Sequence, residues 1–164
     1  MPIAITDDKG YYHLDLPAIG KTRVLAVKEA EGYPDTSIKI CSSGQEKEPE
    51  VLLSPGSIIA DVDIHLGKPD GSLELRIVNS NTGTDIHGAR VVLRRKDDPD
   101  TFYSAGITKS SLTLVLPDKP ITVEVTAPGY LPWKFNDPET QHDYLTIPTE
   151  KHIVVTANLT GSAR

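Results

Sequence analysis

Cysteine is almost absent from this chain, since Cys41 is the only one among 164 residues. One cysteine excludes an internal disulfide and any metal site built from several thiolates. The five histidines are scattered, and none of them has the HExxH or other paired spacing of a zinc enzyme. The sequence therefore predicts no metal site and no cofactor.

Positive charge is also scarce relative to negative charge, with 17 Lys and Arg residues against 23 Asp and Glu residues and a formal charge of −6. This balance argues against a surface for nucleic acid or for an anionic membrane. No apolar run approaches the ~20 residues that a membrane helix needs. Residues Met1–Asp8 lack the basic start and the apolar core of a signal peptide. We expect no nucleic-acid partner and no membrane span, and these residues assign the chain to no compartment.

Turn formers are abundant, with 13 prolines and 12 glycines separating short runs of alternating apolar and polar residues. In the clearest run, Thr122–Thr126, the two valines point to one face and Glu124 to the other, which is the period of a half-buried strand. Pro128 and Gly129 end this strand, because proline lacks an N–H for the ladder and glycine accepts a positive φ. Short strands between frequent turns predict an all-β protein.

The same alternation predicts strands in both halves of the chain, on either side of a polar, turn-rich boundary at Gly67–Gly71. In the second half the inward-facing positions are Leu73, Leu75, Ile77, Ala89, Val91, Leu93, Leu112, Leu114, Leu116, Val123, Val125, Ala127, Ile153, Val155, Ala157 and Leu159. In the first half the predicted strands are Pro2–Thr6, Tyr11–Leu16, Arg23–Lys28, Ser37–Cys41, Val51–Leu53 and Ile58–Leu66. About seven short strands joined by turns are typical of an antiparallel β-sandwich. We therefore predict two domains, 1–67 and 72–160.

Two segments of the chain resemble each other, since Val24–Pro34 and Thr122–Trp133 both run from an alternating strand to a Gly-Tyr corner. The second copy has three predicted strands before a Leu-Pro pair at 116–117, whereas the first has only Pro2–Thr6 before the pair at 16–17. We expect the opening strands of the first copy to be missing or to lie upstream of this chain. The uncovered sheet edge predicts self-association through the first domain, or a first half less stable than the second.

Three short phrases of one family pattern occur in the chain, the middle phrase in the first copy and the opening and closing phrases in the second. A first strand, Leu73–Asn79, precedes a Thr-Gly pair and then Ile86-His-Gly-Ala89. The stretch Thr6–Leu14 provides a middle phrase, and Ala127–Tyr130 a closing one. Together these phrases resemble the carboxypeptidase regulatory-like domain family. The second copy departs from the family at Thr108–Ser111, where Asp-x-Gly is expected.

The resemblance covers most of Leu73–Leu159 and the later part of the pattern between Ile5 and Leu66, which implies one complete and one incomplete copy. It implies a transthyretin-like (prealbumin-like) sandwich of seven strands. The expected fold class is therefore all-β, with tandem antiparallel Greek-key β-sandwiches. Members of this family are usually non-catalytic accessory modules of secreted or cell-envelope proteins, and starch-binding-type domains share the broader fold class.

Three aromatic residues close in sequence, Tyr130, Trp133 and Phe135, are the candidate contacts for a ligand or a glycan, because aromatic rings stack on sugar rings. The alternative interpretation is packing. Tyr130 and Tyr33 would then lie at the sandwich edge with their hydroxyls bonded to the main chain, and Trp133 would cover the core.

Catalytic arrangements are not evident in the sequence. It has no Gly-x-Ser-x-Gly motif, and Cys41 is interpreted as a small core residue, not a nucleophile. The acidic turns at 7–8 and 97–100 lack the spacing of a calcium loop and are interpreted as solvated turns. We therefore expect no catalytic residues and no enzymatic activity. The expected function is that of a structural or interaction module with a protein or glycan partner, and a carbohydrate-binding module of the same fold is the alternative.

Leu114→Ala and Val125→Ala should each lower the free energy of unfolding by about 2–4 kcal/mol, because both residues lie on the predicted inward face of a regular strand. Urea or thermal unfolding measures the change. A loss below about 0.5 kcal/mol at both positions would mean that the strand faces are assigned in reverse.

Overall fold

The computed structural model describes residues 3–16, 20–35, 37–42, 49–54, 56, 62–66 and 68–162. Among these residues the chain forms nine β-strands and two short 3₁₀ helices, which confirms the predicted all-β class. The chain divides into two compact units. The first comprises Met1–Leu25 and Glu48–Ile64, and the second comprises Ala26–Lys47 and His65–Arg164. This division differs from the predicted domains 1–67 and 72–160, because part of the first half belongs to the second unit.

The first unit contains one antiparallel pair, formed by β1 (Gly20–Arg23) and β2 (Glu50–Leu53). The Glu50 carboxylate lies 3.4 Å from the Lys21 ammonium and 3.5 Å from the Arg23 guanidinium, so the two strands carry complementary charge. The Tyr12 hydroxyl donates a hydrogen bond to the main-chain carbonyl of Val62 at 2.8 Å. This bond joins the start of the unit to its end.

Several strands predicted for the first half are wrong. The described parts of Pro2–Thr6, Tyr11–Leu16 and Ile58–Leu66 have no strand, while Pro2 and residues 58–61 lie outside the described residues. In place of the predicted strand Arg23–Lys28, the chain forms β1, which begins three residues earlier and ends at Arg23. Alternation indicates which side chains could share a face, but a strand also needs a hydrogen-bonded neighbour and a core to cover. Ile3 and Ile5 have no such core, since they are 81% and 92% exposed. The tandem Greek-key, transthyretin-like sandwich stays a prediction.

The second unit contains seven strands in two sheets. The strands are β3 (Gly71–Asn79), β4 (Ala89–Arg95), β5 (Phe102–Ile107), β6 (Ser111–Leu116), β7 (Ile121–Thr126), β8 (Trp133–Lys134) and β9 (His152–Leu159). One sheet has the order β6-β3-β9 and the other the order β5-β4-β7-β8. All pairs are antiparallel except β3 and β9, which run parallel, so the prediction of purely antiparallel sheets is wrong for this pair.

The two sheets bury a single apolar core between them. Alternate residues of β3, β4 and β7 are buried, as the two-residue period requires. The inward faces predicted from the sequence are confirmed for Leu73, Leu75, Ile77, Ala89, Val91, Leu93, Leu114, Leu116, Val123, Val125, Ala157 and Leu159, all of which belong to one cluster. Each large aliphatic side chain buried in this way stabilises the fold by about 1.5–3 kcal/mol.

A short 3₁₀ helix, Lys39–Cys41, closes one open side of this core. It contacts β5 and β6, the end strands of the two sheets, and also reaches β4. Ile40 and Cys41 are 1% and 0% exposed and belong to the core cluster. The predicted strand Ser37–Cys41 is therefore wrong. A 3₁₀ turn directs two consecutive side chains into the core here, which the alternating faces of a strand do not allow.

The segment before β9 closes the opposite side. Leu145 and Ile121 exchange two main-chain hydrogen bonds of 2.8 and 2.9 Å, and Ile147 is fully buried behind them. Gly71 lies directly against this segment, where an added Cβ would clash with Ile147 and with the carbonyl of Pro148. Gly71, which the sequence predicts as part of the boundary between domains, begins β3 at a close approach that only glycine permits.

Ile40→Ala should lower the free energy of unfolding by about 2–4 kcal/mol, because it removes a buried side chain and leaves a cavity. Urea unfolding followed by the fluorescence of Trp133, the single tryptophan, measures the change. Val154→Ala is the matched control, because Val154 is 47% exposed on β9 and should change stability by less than about 0.5 kcal/mol. Equal effects of the two variants would contradict a core position for Ile40.

Candidate ligand-binding cleft

The three candidate aromatic residues lie along one edge of the second unit, and all three are half-buried against the core. Trp133 begins β8 and pairs with Val125 of β7. The rings of Trp133 and Phe135 meet edge to face, with centroids 6.5 Å apart and planes at 71°. Trp133 and Phe135 therefore pack against each other and the core, in agreement with the packing interpretation.

Tyr130 lies apart from this ring pair. Its main chain pairs with Gly161, and its hydroxyl accepts a hydrogen bond of 3.3 Å from the side-chain amide of Asn79. The partner of the Tyr130 hydroxyl is therefore a side chain, and the expectation of a main-chain partner is wrong for the described residues. No ring contact between Tyr130 and Trp133 or Phe135 is present among the described residues. The structure thus brings together only two of the three candidate aromatic residues.

A cleft of about 300 Å³ opens on the far side of Phe135, next to the first half of β9. Ile153 and Val155 of β9 provide part of its apolar lining. The other lining residues come from the irregular segment between β8 and β9: Phe135, Asp137, Thr140, His142, Tyr144, Leu145 and Thr146. The cleft therefore combines two apolar strand residues, three rings and several polar groups.

His142 and Tyr144 form a stacked pair at this cleft, with centroids 4.7 Å apart and planes at 12°. The Lys96 ammonium lies 4.4 Å from the centre of the Tyr144 ring, a cation–π distance. The same ammonium pairs with the Asp143 carboxylate, and this contact holds the pKa of Asp143 below its ordinary value. Lys96 thus positions two consecutive residues of the segment that lines the cleft.

Asp137 organises the turn that carries His142. Its carboxylate accepts hydrogen bonds from the N–H of Glu139 at 2.9 Å and from the Thr140 hydroxyl at 2.8 Å. The N–H of Asp137 in turn donates to the His142 carbonyl at 2.9 Å. Because the Glu139 N–H and then the Thr140 hydroxyl favour the charged carboxylate, the pKa of Asp137 lies below its ordinary value.

The acidic turns have protein partners. Asp7 accepts hydrogen bonds from the main-chain N–H groups of Lys9 and Tyr11, both at 2.9 Å. Asp97 pairs with Arg95, whose guanidinium lowers the pKa of the carboxyl. Asp98 accepts a bond of 2.6 Å from the Thr101 hydroxyl. Within the part of the chain that the structure describes, no three His, Cys, Asp or Glu side chains come together as metal ligands.

Cys41 is fully buried in the core, as its interpretation as a small core residue requires. Burial, assisted by the charges of Asp35, Glu29 and Asp70, raises the pKa of its thiol to about 12. A thiol is nucleophilic only as the thiolate, so Cys41 is inert near neutral pH.

The sequence did not predict that His142, Tyr144 and the β9 residues Ile153 and Val155 line one site. The local density of aromatic residues between Tyr130 and Tyr144 was the available signal, but no periodicity relates these positions to Ile153. Their proximity depends on where the irregular segment crosses β9, which is a tertiary property.

Within the described ranges, no helix has the length and apolar character needed to cross a bilayer. Comparison of the chain with models of known protein families and with curated proteins finds no match.

Asp137→Ala should loosen the turn, because it removes the acceptor of the Glu139 and Thr140 bonds. The main-chain N–H groups of Glu139 and Gln141 should then exchange faster with solvent, as NMR hydrogen exchange measures. In the wild type, these hydrogen bonds hold the turn at a pH above the ordinary carboxyl pKa. They are lost as the pH falls through the lowered pKa of Asp137. Asp137→Asn is the control, since it keeps one acceptor oxygen. Unchanged exchange in Asp137→Ala would contradict this role.

Proposed function

We propose that this chain is a non-catalytic structural or interaction module of the carboxypeptidase regulatory-like type. The observation that carries the proposal is the filled, sandwich-like core of the second unit. Thr101 is the only buried polar or charged residue among those the structure describes, and its hydroxyl bonds to Asp98. Catalytic sites normally bury ionisable groups whose pKa values are shifted for a chemical task. Here the lowered carboxyl pKa values have a structural cause, as for Glu74 beside Arg76.

The positions of the family-like residues support the same proposal. Ile86 is buried, Gly88 has a φ of 73°, and Ala89 is fully buried at the start of β4. These are the roles that an Ile-x-Gly-Ala phrase serves when a turn enters a core strand. At the closing phrase, Gly129 has a φ of 80°, and the Tyr130 N–H bonds to the Ala127 carbonyl at 3.2 Å.

Carbohydrate binding is the second candidate, and the cleft beside Phe135 favours it. Sugars are bound by aromatic faces together with a few polar groups that fix their orientation. The rings of Phe135 and His142, with Asp137 and Thr140, provide both kinds of contact within one depression. A sugar bound here would contact Phe135 but neither Tyr130 nor Trp133.

The non-catalytic proposal predicts no turnover when the purified chain meets chromogenic esters, glycosides, phosphates and peptides. Turnover that survives further purification and disappears in His142→Ala would overturn it, because it would place a reacting group in the cleft. Background hydrolysis that is equal in the wild type and the variant leaves the proposal standing.

Carbohydrate binding predicts signal on a glycan array for the wild type and a loss of about tenfold or more for His142→Ala and Phe135→Ala, because each removes a ring face. Trp133→Phe is the matched control, since Trp133 packs on the core outside the cleft and the change keeps a ring. Loss in Trp133→Phe alone would move the site to the β8 edge, and no glycan signal for the folded wild type would reject this candidate.

A further inference from the structure

The outer edge of β5 (Phe102–Ile107) lacks the charges, prolines and bulges that usually stop a strand from pairing with another chain, and the 3₁₀ helix Lys39–Cys41, which contacts this strand, makes no main-chain hydrogen bond to it among the described residues. This strand ends its sheet, and its six residues contain neither a charge nor a proline. Natural edge strands are normally protected by lysines, prolines, bulges or a covering element. The pairing of β5 with β4 is continuous over all six residues, so no bulge turns this edge away from a neighbour.

Alternate residues of β5 direct their main chain outward. The N–H of Arg95 donates to the Thr101 carbonyl at 3.0 Å, so Thr101 and every second residue after it face β4. Phe102, Ser104 and Gly106 therefore direct their N–H and C=O groups away from the sheet. Among the described residues, no main-chain hydrogen bond reaches these three residues from that side.

The side chains of the same residues lie on the outer face, because Tyr103 and Ile107 pack against the core. Phe102 is 49% exposed, and the Arg94 guanidinium lies 4.9 Å from the centre of its ring. Ser104 accepts a hydrogen bond of 3.1 Å from Nε of Arg90. The strand therefore presents a large apolar ring at one end and a bare glycine at the other.

Among the residues that the structure describes, nothing requires glycine at position 106. Its φ lies outside the positive range that side chains avoid, and an added Cβ would meet no atom within 4 Å. Glycine weakens the interior of a strand, and its presence there often marks the close approach of another group. No described residue fills the space beside Gly106, so we infer that the approaching group belongs to another molecule.

We propose that β5 is a homodimerisation edge, where two copies of this chain pair antiparallel about a two-fold axis through Ser104. In this register Ser104 faces its own copy, and Phe102 faces Gly106 of the second copy. The outward main-chain groups of all three residues then pair, with about six hydrogen bonds in total. Each Phe102 ring lies over the opposite glycine, an arrangement that offsets the weakness of glycine in a sheet.

A second copy fits this edge better than an unrelated peptide, because the strand is complementary to itself. A two-fold interface requires each contact to occur twice, and the ring and the glycine lie at equal distances, two residues, from Ser104. An unrelated extended peptide would need its own ring opposite Gly106 and a small residue opposite Phe102. Because the contact is small, we expect a weak dimer whose population depends on concentration.

Sedimentation equilibrium of the full chain over a wide concentration range tests the proposal. The wild type should show a monomer–dimer equilibrium. Ser104→Lys should weaken it about tenfold or more, because two like charges would face each other at the axis. Gly106→Val should also weaken it by filling the space that the Phe102 ring needs, while its melting temperature should not fall because that space is open in the monomer. Ser104→Ala is the matched control and should leave the dimer unchanged.

Hydrogen exchange provides a second readout, since the N–H groups of Phe102, Ser104 and Gly106 should become protected as the concentration rises. A wild type that stays monomeric at the highest concentration would overturn the proposal. If Ser104→Lys and Gly106→Val associate as strongly as the wild type, the proposal is also overturned. The contact between copies would then lie on another surface, for example on the first domain. If the chain stays monomeric and its β5 amides become protected only when an extended peptide is added, the proposal is overturned. The partner of β5 would then be a peptide and not a second copy.

Discussion

The second unit depends on the exclusion of water from the two open sides of a two-sheet core. Each sheet buries one face against the other, but two stacked sheets leave gaps where their end strands meet. The 3₁₀ helix Lys39–Cys41 closes the gap between β5 and β6, and Leu145 with Ile147 closes the other. Ile40, Cys41 and Ile147 at these closures are as deeply buried as the side chains of the central strands. The core is therefore completed by segments that belong to neither sheet.

These closures also determine where chemistry can take place. The first one buries Cys41, and burial removes its thiol from reaction. The second one carries the irregular segment across β9, which leaves the cleft between Phe135 and Tyr144. The cleft depends on the Asp137 turn and on the Lys96 contacts, both of which lie at the surface. Its residues are therefore less constrained by packing than the core beneath them.

Sequence reasoning worked best where local pattern and tertiary environment agree. The alternation in β3, β4, β7 and β9 correctly identified the buried faces, because each strand has a partner on at least one side and a core beneath it. The same reasoning failed at Ile3–Thr6 and Tyr11–Leu16, where the alternation is present but no sheet is formed by these residues. It also failed at Lys39–Cys41, since a three-residue turn has no periodicity to detect. Of the three candidate aromatic contacts, Trp133 and Phe135 lie together and Tyr130 lies apart from them, and their role as ligand contacts stays a prediction.

The amino-acid sequence by itself determined the all-β class, the inward faces of the long strands and the burial of Cys41, because two-residue alternation and turn residues are local properties. Tertiary structure alone decided the parallel pairing of β3 with β9, the use of Ile40 to complete a core formed by distant strands, and the meeting of His142 and Tyr144 with Ile153. It also decided that β5 is the end strand of its sheet. These features depend on contacts between residues far apart in the chain, and no local pattern encodes which strand or segment will be the neighbour.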